Sequence, residues 1–206
     1  MKYFGEELTP LQIQQFKAMG DSYRSWNEKI NVVSRKDIDN LYLKHILHSL
    51  AIAKIHSFAP GDTVMDLGCG GGFPGIPLAV MFPETNFKMV DSIGKKITVV
   101  NGVVADVGLK NVETFNMRAE QIDFKVDYVI SRAVTELSTF LGWSWKKIRG
   151  GNNHGVFYLK GGDLAEEISN GKAVIKHSGV ITLFDVDKIF EEEFFETKKI
   201  VRIIKK

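Results

Sequence analysis

Three sets of residues have the types and spacing that chemistry needs. The first is the run Thr63 to Leu78, TVMDLGCGGGFPGIPL. There an apolar stretch ending in Asp66 and Leu67 gives way to Gly68, Gly70, Gly71 and Gly72, then to a short apolar segment. It reads as a buried strand, a glycine-rich turn and the start of a helix. Such glycines let the backbone bend sharply and let a ligand approach it without meeting a Cβ. The second is Asp91, an acid closing the next apolar run. The third is a set of cations expected just beyond successive strands: Arg118 after the third, Arg132 after the fourth and Lys160 after the fifth. On one rim they suit an anionic substrate, and phosphate above all. Lys95 and Lys96 add to this, or are a solvated pair. They sit near a helix N-terminus, where a cation is disfavoured by ~0.3–1 kcal/mol.

Two ligand classes use such a turn, dinucleotides and S-adenosylmethionine. The dinucleotide fingerprint G-x-G-x-x-G begins right after the strand. In that phase Gly68 and Gly70 fit, but the sixth position is Phe73; a shifted match at Gly70, Gly72 and Gly75 starts late and contains Pro74. The run Asp66-x-Gly68-x-Gly70-x-Gly72 instead resembles motif I of class I S-adenosylmethionine-dependent methyltransferases. Asp91 then holds the ribose hydroxyls, a role that dinucleotide enzymes also give to such an acid. Arg118-Ala119-Glu120, after the third strand, suits a loop flanking adenine; Glu120 is otherwise a solvated helix cap.

Absent devices narrow the substrate. Ser131-Arg132-Ala133-Val134 stands where amino-group methyltransferases of adenine carry Asn/Asp-Pro-Pro-aromatic. The only cysteine, Cys69, lies inside the glycine turn, so no nucleophilic thiol serves cytosine C5 chemistry. A nitrogen with a free lone pair needs neither device, and guanine N7 is one. This permits guanine N7 without selecting it.

The elements that position these groups follow from periodicity. Residues 9 to about 31 form an amphipathic helix, with Thr9 as N-cap and Pro10 in its first position. A second helix is predicted from about Asp37 to Ser57. From there strands alternate with helices: Val64–Leu67, Phe87–Val90, Val112–Asn116, Tyr128–Ile130, Val156–Leu159, Val180–Phe184 and Ile200–Ile204, with a helix over Lys95–Val107 stopped by Gly108. The expected fold is α/β and Rossmann-like: a mostly parallel seven-stranded sheet with helices on both faces. One domain is expected over 1–206, a helical section at 1–60 and the sheet-bearing core at 61–206. The ligand belongs beyond the carboxyl ends of the strands.

Composition agrees. The 206 residues are 44% apolar and 25% charged, enough for a sizeable core. A net charge of +2 and a pI near 8.5 are mild for a nucleic-acid binder, so any such contact depends on local placement of cations. No run reaches the ~20 apolar residues of a membrane span, and the start lacks a signal-peptide pattern, so a cytoplasmic protein is expected.

Several segments together, WNEKINVVSRKD, KHILHSL, DLGCGGGFPGIPLA, VDSIGKKI, NMRAE, VISRAV and LKGG, resemble the glucose-inhibited division protein B family, the small-subunit ribosomal methyltransferases G. The resemblance implies methylation of N7 of the guanine at position 527 of bacterial 16S rRNA, with S-adenosylmethionine as donor. It implies the small subunit or an assembly intermediate as partner; a monomer is expected. Carried over, cofactor contacts fall on Gly68 and Phe73, on Asp91, Ser92 and Ile93, on Ala119 and Glu120, and on Arg132. Arg132, His45 and Lys160 are expected to be catalytic, and Lys44, Lys95, Lys96, Arg118 and Lys160 to meet RNA. One departure stands out: where the family often reads Arg-His-x-Leu-Asp-Ser, this chain has Lys44-His45-Ile46-Leu47-His48-Ser49. His45 and His48, three apart, invite a metal, but no further ligand is evident and none is expected. The basic end, Lys198 to Lys206, reads as a solvated edge strand or an RNA contact. The competing classes are a nicotinamide oxidoreductase, disfavoured by Phe73, a methyltransferase for another substrate, and an inactive cofactor-binding assembly factor.

Overall fold

Thr9 begins the first helix by reciprocal capping: its Oγ1 accepts from the Gln12 amide at 3.3 Å while Gln12 Oε1 accepts from the Thr9 amide at 2.9 Å. A computed structural model describes residues 2–5, 7–151 and 153–206. Helix α1 (Pro10–Lys29) buries Phe16, Met19 and Tyr23. Its Gln12 side chain reaches across to donate to the carbonyls of Val80 and Met81, at 2.9 and 3.1 Å.

The second predicted helix is corrected. The stretch is broken into a 3-10 turn (Ile38–Asn40), a π-helical segment (Tyr42–Leu47), α2 (His48–Leu50) and a 3-10 turn (Ile52–Lys54), and it ends before Ser57. A π segment inserts an extra residue per turn and redirects the side chains it carries, a device frequent at functional sites. Here it carries Lys44 and His45.

All seven strands are present: β1 (Thr63–Leu67), β2 (Asn86–Asp91), β3 (Val112–Asn116), β4 (Tyr128–Arg132), β5 (Gly155–Gly161), β6 (Gly179–Asp185) and β7 (Lys198–Lys205). Between them lie α3 (Gly75–Met81), α4 (Gly94–Val107), α5 (Leu137–Ser144) and α6 (Ala165–Ile175). The sheet order is β3-β2-β1-β4-β5-β7-β6, parallel except for β7, which runs against both neighbours. Gly108, at φ 74°, ends α4 as expected. Side chains alternate across the sheet. Val64, Met89, Ile130 and Phe157 pack with α1, α3 and α4 on one face; Met65, Val90, Val129 and Tyr158 pack with α5 and α6 on the other.

The chain order reverses between β1 and β4, which pair Asp66 with Ile130. Ligands of open α/β sheets sit at such a switch, beyond the carboxyl ends. There Ser131 Oγ donates to the Leu67 carbonyl at 2.7 Å and ties the two ends together. Among the described residues, no helix is long and apolar enough to cross a membrane.

Candidate active site

The carboxyl ends of β1, β2 and β4 and the loop after β3 enclose a cleft of about 480 Å³. Its floor is the glycine turn. Gly70 has φ 57°, and nothing lies within 4 Å of where a Cβ would stand, so bare backbone faces open space. The turn is fixed from behind. Tyr23 Oη donates to the Gly71 carbonyl at 2.6 Å, and the Gly68 and Cys69 amides donate to the Val90 carbonyl at 2.8 and 3.0 Å.

Asp91 closes the turn onto β2. Its Oδ2 accepts from the Gly70 amide at 3.0 Å and its Oδ1 from the Ile93 amide at 2.9 Å, with Lys96 Nζ 3.8 Å away. Each carboxylate oxygen keeps a further lone pair. Ser92, Ile93, Met117 and Ala119 flank the cleft farther out, with Arg118 and Glu120 exposed at its mouth.

Two expected cofactor contacts lie behind this wall instead. Asp66 is fully buried, does not line the cleft, and spends Oδ2 on the Gly75 amide at 2.8 Å. Burial raises its carboxyl to about 7, opposed by that amide. Gly72 faces Ile76 and Tyr23: an added Cβ would come within 2.4 Å of Ile76 Cδ1. Both residues shape the turn from its rear.

Arg132 is the last residue of β4 rather than the first beyond it. Its Nη2 donates to His45 Nδ1 at 2.9 Å and its Nη1 to the Lys44 carbonyl at 3.3 Å. The guanidinium carbon stands 5.2 Å from the Phe73 ring centroid. Phe73 in turn stacks on Tyr23, centroids 4.7 Å apart at 25°. Burial, followed by the neighbouring Arg132 charge, pushes His45 down to about 4. Its ring is therefore neutral, and with Nδ1 accepting, the proton sits on Nε2.

Arg132 and Ala133 also border a second cavity of about 300 Å³, with Lys44, His45, His48, Phe194 and Lys198 around it. The three-cation rim changes in part: Lys160 lines this second cavity, but its ammonium is turned away. Arg132 pairs with Leu159, so Lys160, one residue on, points to the opposite face of the sheet. Its ammonium meets Glu167 at 2.6 Å and the Thr135 carbonyl at 3.0 Å. Lys44 pairs with Asp37 at 2.6 Å, Lys96 turns toward the cleft, and Lys95 is exposed outside both cavities.

Among the lining residues that sequence reasoning did not single out are Val32 and Trp143 in the cleft and Phe194 in the second cavity, where Lys198 from the basic end joins it. Phe194 lies in an acidic stretch, Glu191 to Glu196, and Phe190 and Phe195 beside it are fully buried. Three phenylalanines set around a run of glutamates were the available signal. Among the described residues, no group of three or more His, Cys, Asp or Glu could hold a metal ion.

Comparison with known proteins bears on this geometry. The family model described as rRNA small subunit methyltransferase G, GidB, matches residues 12–193. A Flavobacterium johnsoniae protein named ribosomal RNA small subunit methyltransferase G is 54% identical over 207 residues, covering 98% of this chain and 95% of its own. A Bacteroides thetaiotaomicron protein of the same name is 51% identical over 205 residues, covering 98% and 96%. Among solved structures, a SAM-dependent methyltransferase from Aquifex aeolicus superposes with a TM-score of 0.58 at 17% identity, over 84% of this chain and 99% of that one, a likeness of fold.

Proposed function

The chain belongs to the rRNA small subunit methyltransferase G (GidB) family, and we propose that it moves a methyl group from S-adenosylmethionine to guanine N7 of 16S rRNA across Arg132. The observation that carries this placement is Arg132 itself, the charged side chain bordering both the cleft and the second cavity.

The cleft fits the cofactor. Its volume falls in the ~300–1,000 Å³ range of small-molecule sites. It joins a bare glycine turn to a carboxylate with lone pairs to spare. Gly68, Gly70 and Phe73 would hold the methionine end, Asp91 the ribose hydroxyls, and Ser92, Ile93, Ala119 and Glu120 the adenine. When bound, the cofactor supplies a methyl group on a sulfonium.

The chain's own work is then positional. Guanine N7 carries a lone pair and no proton, so no general base is needed. His45 accordingly acts on Arg132, fixing it through Nδ1. Two of the five guanidinium N–H groups are engaged here, which leaves three for substrate. Rate enhancement comes from holding the lone pair in line with the methyl group.

The test is incubation with radiolabelled S-adenosylmethionine and small subunits lacking the modification, followed by cleavage at 7-methylguanine. One labelled guanine in 16S rRNA is expected. Label elsewhere would discard the target, and cofactor binding without transfer would favour an assembly factor.

A further inference from the structure

The amino end of the sheet, opposite the cofactor cleft, gathers cations that the transfer reaction does not use. Lys125 precedes β4, and Val126 beside it pairs in parallel with Ile148 ahead of β5, so both segments lie at that end. There Lys125 Nζ donates to the Lys146 carbonyl and Lys205 Nζ to the Ile148 carbonyl, each at 2.7 Å, and Lys147 Nζ donates to the Ile122 carbonyl. An ammonium has three N–H donors, so one carbonyl leaves each of them two to spare. Burial, and then the Lys125 charge, hold the Lys205 ammonium below its ordinary value.

A cavity extends this cluster. Strand β6 runs against β7, and β7 against β5, so β6 begins at the same end as β5. A space of about 700 Å³ opens there, with Lys172, Lys176, His177 and Lys206 set around Gly179 and Val180. Trp145 joins the two groups. Lys205 Nζ is 5.6 Å from its ring centroid, its Nε1 donates to Ser178 Oγ at 2.9 Å, and a Cβ on Gly179 would fall 2.8 Å from its Cη2.

Acids do not neutralise this edge. Among the described residues, none of these lysines forms an ion pair with a carboxylate. Both Asp127 oxygens accept from Arg149, at 2.9 and 2.8 Å, and Asp123 is exposed two residues before Lys125 without pairing to it. The whole chain carries a formal charge of only +2, so such a concentration leaves the rest of the surface acidic on balance. A field of this kind attracts an extended polyanion. Trp145 is only 9% exposed, so no base can stack on its face. The surface therefore reads phosphate charge and no base edge.

We propose that this rear edge docks a phosphate backbone of small-subunit RNA, on a segment separate from the one presented to the cofactor cleft. The seven residues of β5, at ~3.3 Å each, set the two faces on the order of 20 Å apart. A free nucleotide cannot reach both, and a folded RNA can. The rear contact supplies affinity and orientation without sequence preference. It rests on the rRNA substrate of the reading above and is independent of Arg132 and of N7.

The experiment measures cosedimentation of the full chain with small subunits across a salt series, with kcat, cofactor Kd and Tm alongside. The triple variant Lys125→Gln, Lys146→Gln, Lys206→Gln is compared with wild type and with Lys17→Gln, Lys110→Gln, Lys188→Gln, exposed lysines outside both clusters. The rear variant is expected to bind subunits at least tenfold more weakly, with a salt slope shallower by about 2–3 and with kcat and cofactor Kd unchanged. An unchanged affinity, an unchanged salt slope or an equal loss in the second triple variant would overturn the proposal. Should the rear variant fail to fold, Lys172→Gln with Lys206→Gln replaces it, and a slope shallower by about 1–2 is then expected. Ultraviolet crosslinking of the wild-type complex separates the possible partners. Crosslinks from residues 145–149 or 172–180 to 16S rRNA are expected, and crosslinks to ribosomal protein alone would overturn the assignment to RNA. Because binding is read directly, a wild type that binds but transfers no methyl group sinks the transferase reading and leaves this one standing.

Discussion

At the scale of single residues, the site depends on Arg132. Its guanidinium serves three partners at once: His45 Nδ1, the Lys44 carbonyl and the face of Phe73. A planar fork can do this, and a single ammonium cannot. Arg132→Ala is therefore expected to cut kcat/KM by about a hundredfold, on the order of 3 kcal/mol of transition-state alignment. Arg132→Lys should recover little of it. Tm should change far less than activity in both, because the side chain lies at the end of its strand. Equal activity in the alanine variant would remove Arg132 from the site. Asp66 shows the contrasting case, an apparent ligand whose work is to hold the Gly75 amide and so the geometry of the turn.

At the scale of elements, α1 is the brace behind the glycine turn. Its Tyr23 holds the Gly71 carbonyl, and its Trp26 lies against Gly102 of α4. A Cβ on Gly102 would fall 2.0 Å from Trp26 Cζ2, so either the Trp26 ring or the two helices must shift. Asp106 reinforces the seam, accepting from Ser22 Oγ at 2.7 Å and Trp26 Nε1 at 3.1 Å. Gly102→Leu is therefore expected to cost about 1–3 kcal/mol in urea unfolding. It should also weaken cofactor binding, since displacing α1 pulls Tyr23 from the turn. A leucine variant with wild-type midpoint and cofactor Kd would show that the seam does not support the site. The π segment works at the same scale: it brings the Lys44 carbonyl and the His45 ring to one guanidinium.

For the whole molecule, buried histidines set the response to acid. Burial lowers His45 to about 4, His48 to about 3 and His56 to about 4. Below the ordinary value near 6.5, the unfolded chain binds protons that the folded chain refuses. Their contribution is full above about pH 6.5 and is lost as pH falls toward 4. Asp37, held below the usual carboxylate range by Lys44, adds to the loss at lower pH still. Asp66 acts with the opposite sign: raised to about 7, it favours the folded state below about pH 4, and that contribution is lost as pH rises through 7. Three histidines outweigh one carboxyl. Urea midpoints should fall between pH 6.5 and 4, and the fall should steepen in Asp66→Asn. A flat profile would contradict the burial of these rings.

The strands, the capped first helix and the glycine turn were legible because local patterning determines them: apolar runs of strand length, Thr9-Pro10 ahead of an amphipathic face, and a run of glycines directly after a strand. Most of the cofactor cleft was legible for the same reason, since Gly68, Gly70, Phe73, Asp91, Ser92 and Ile93 lie within or directly beside two strand ends. The direction of Lys160 was not, because extending β5 by one residue places a side chain on the other face, and strand ends are set by the neighbouring ladder. Nor was the pairing of His48 with Phe194, more than a hundred positions apart, which only the return of β7 beside β5 brings together. The sequence by itself determined the elements and the turn that a ligand would meet. The tertiary structure decided which cations are free, which aspartate faces the cleft, and where a second cavity opens, because those depend on packing between segments that no local pattern records.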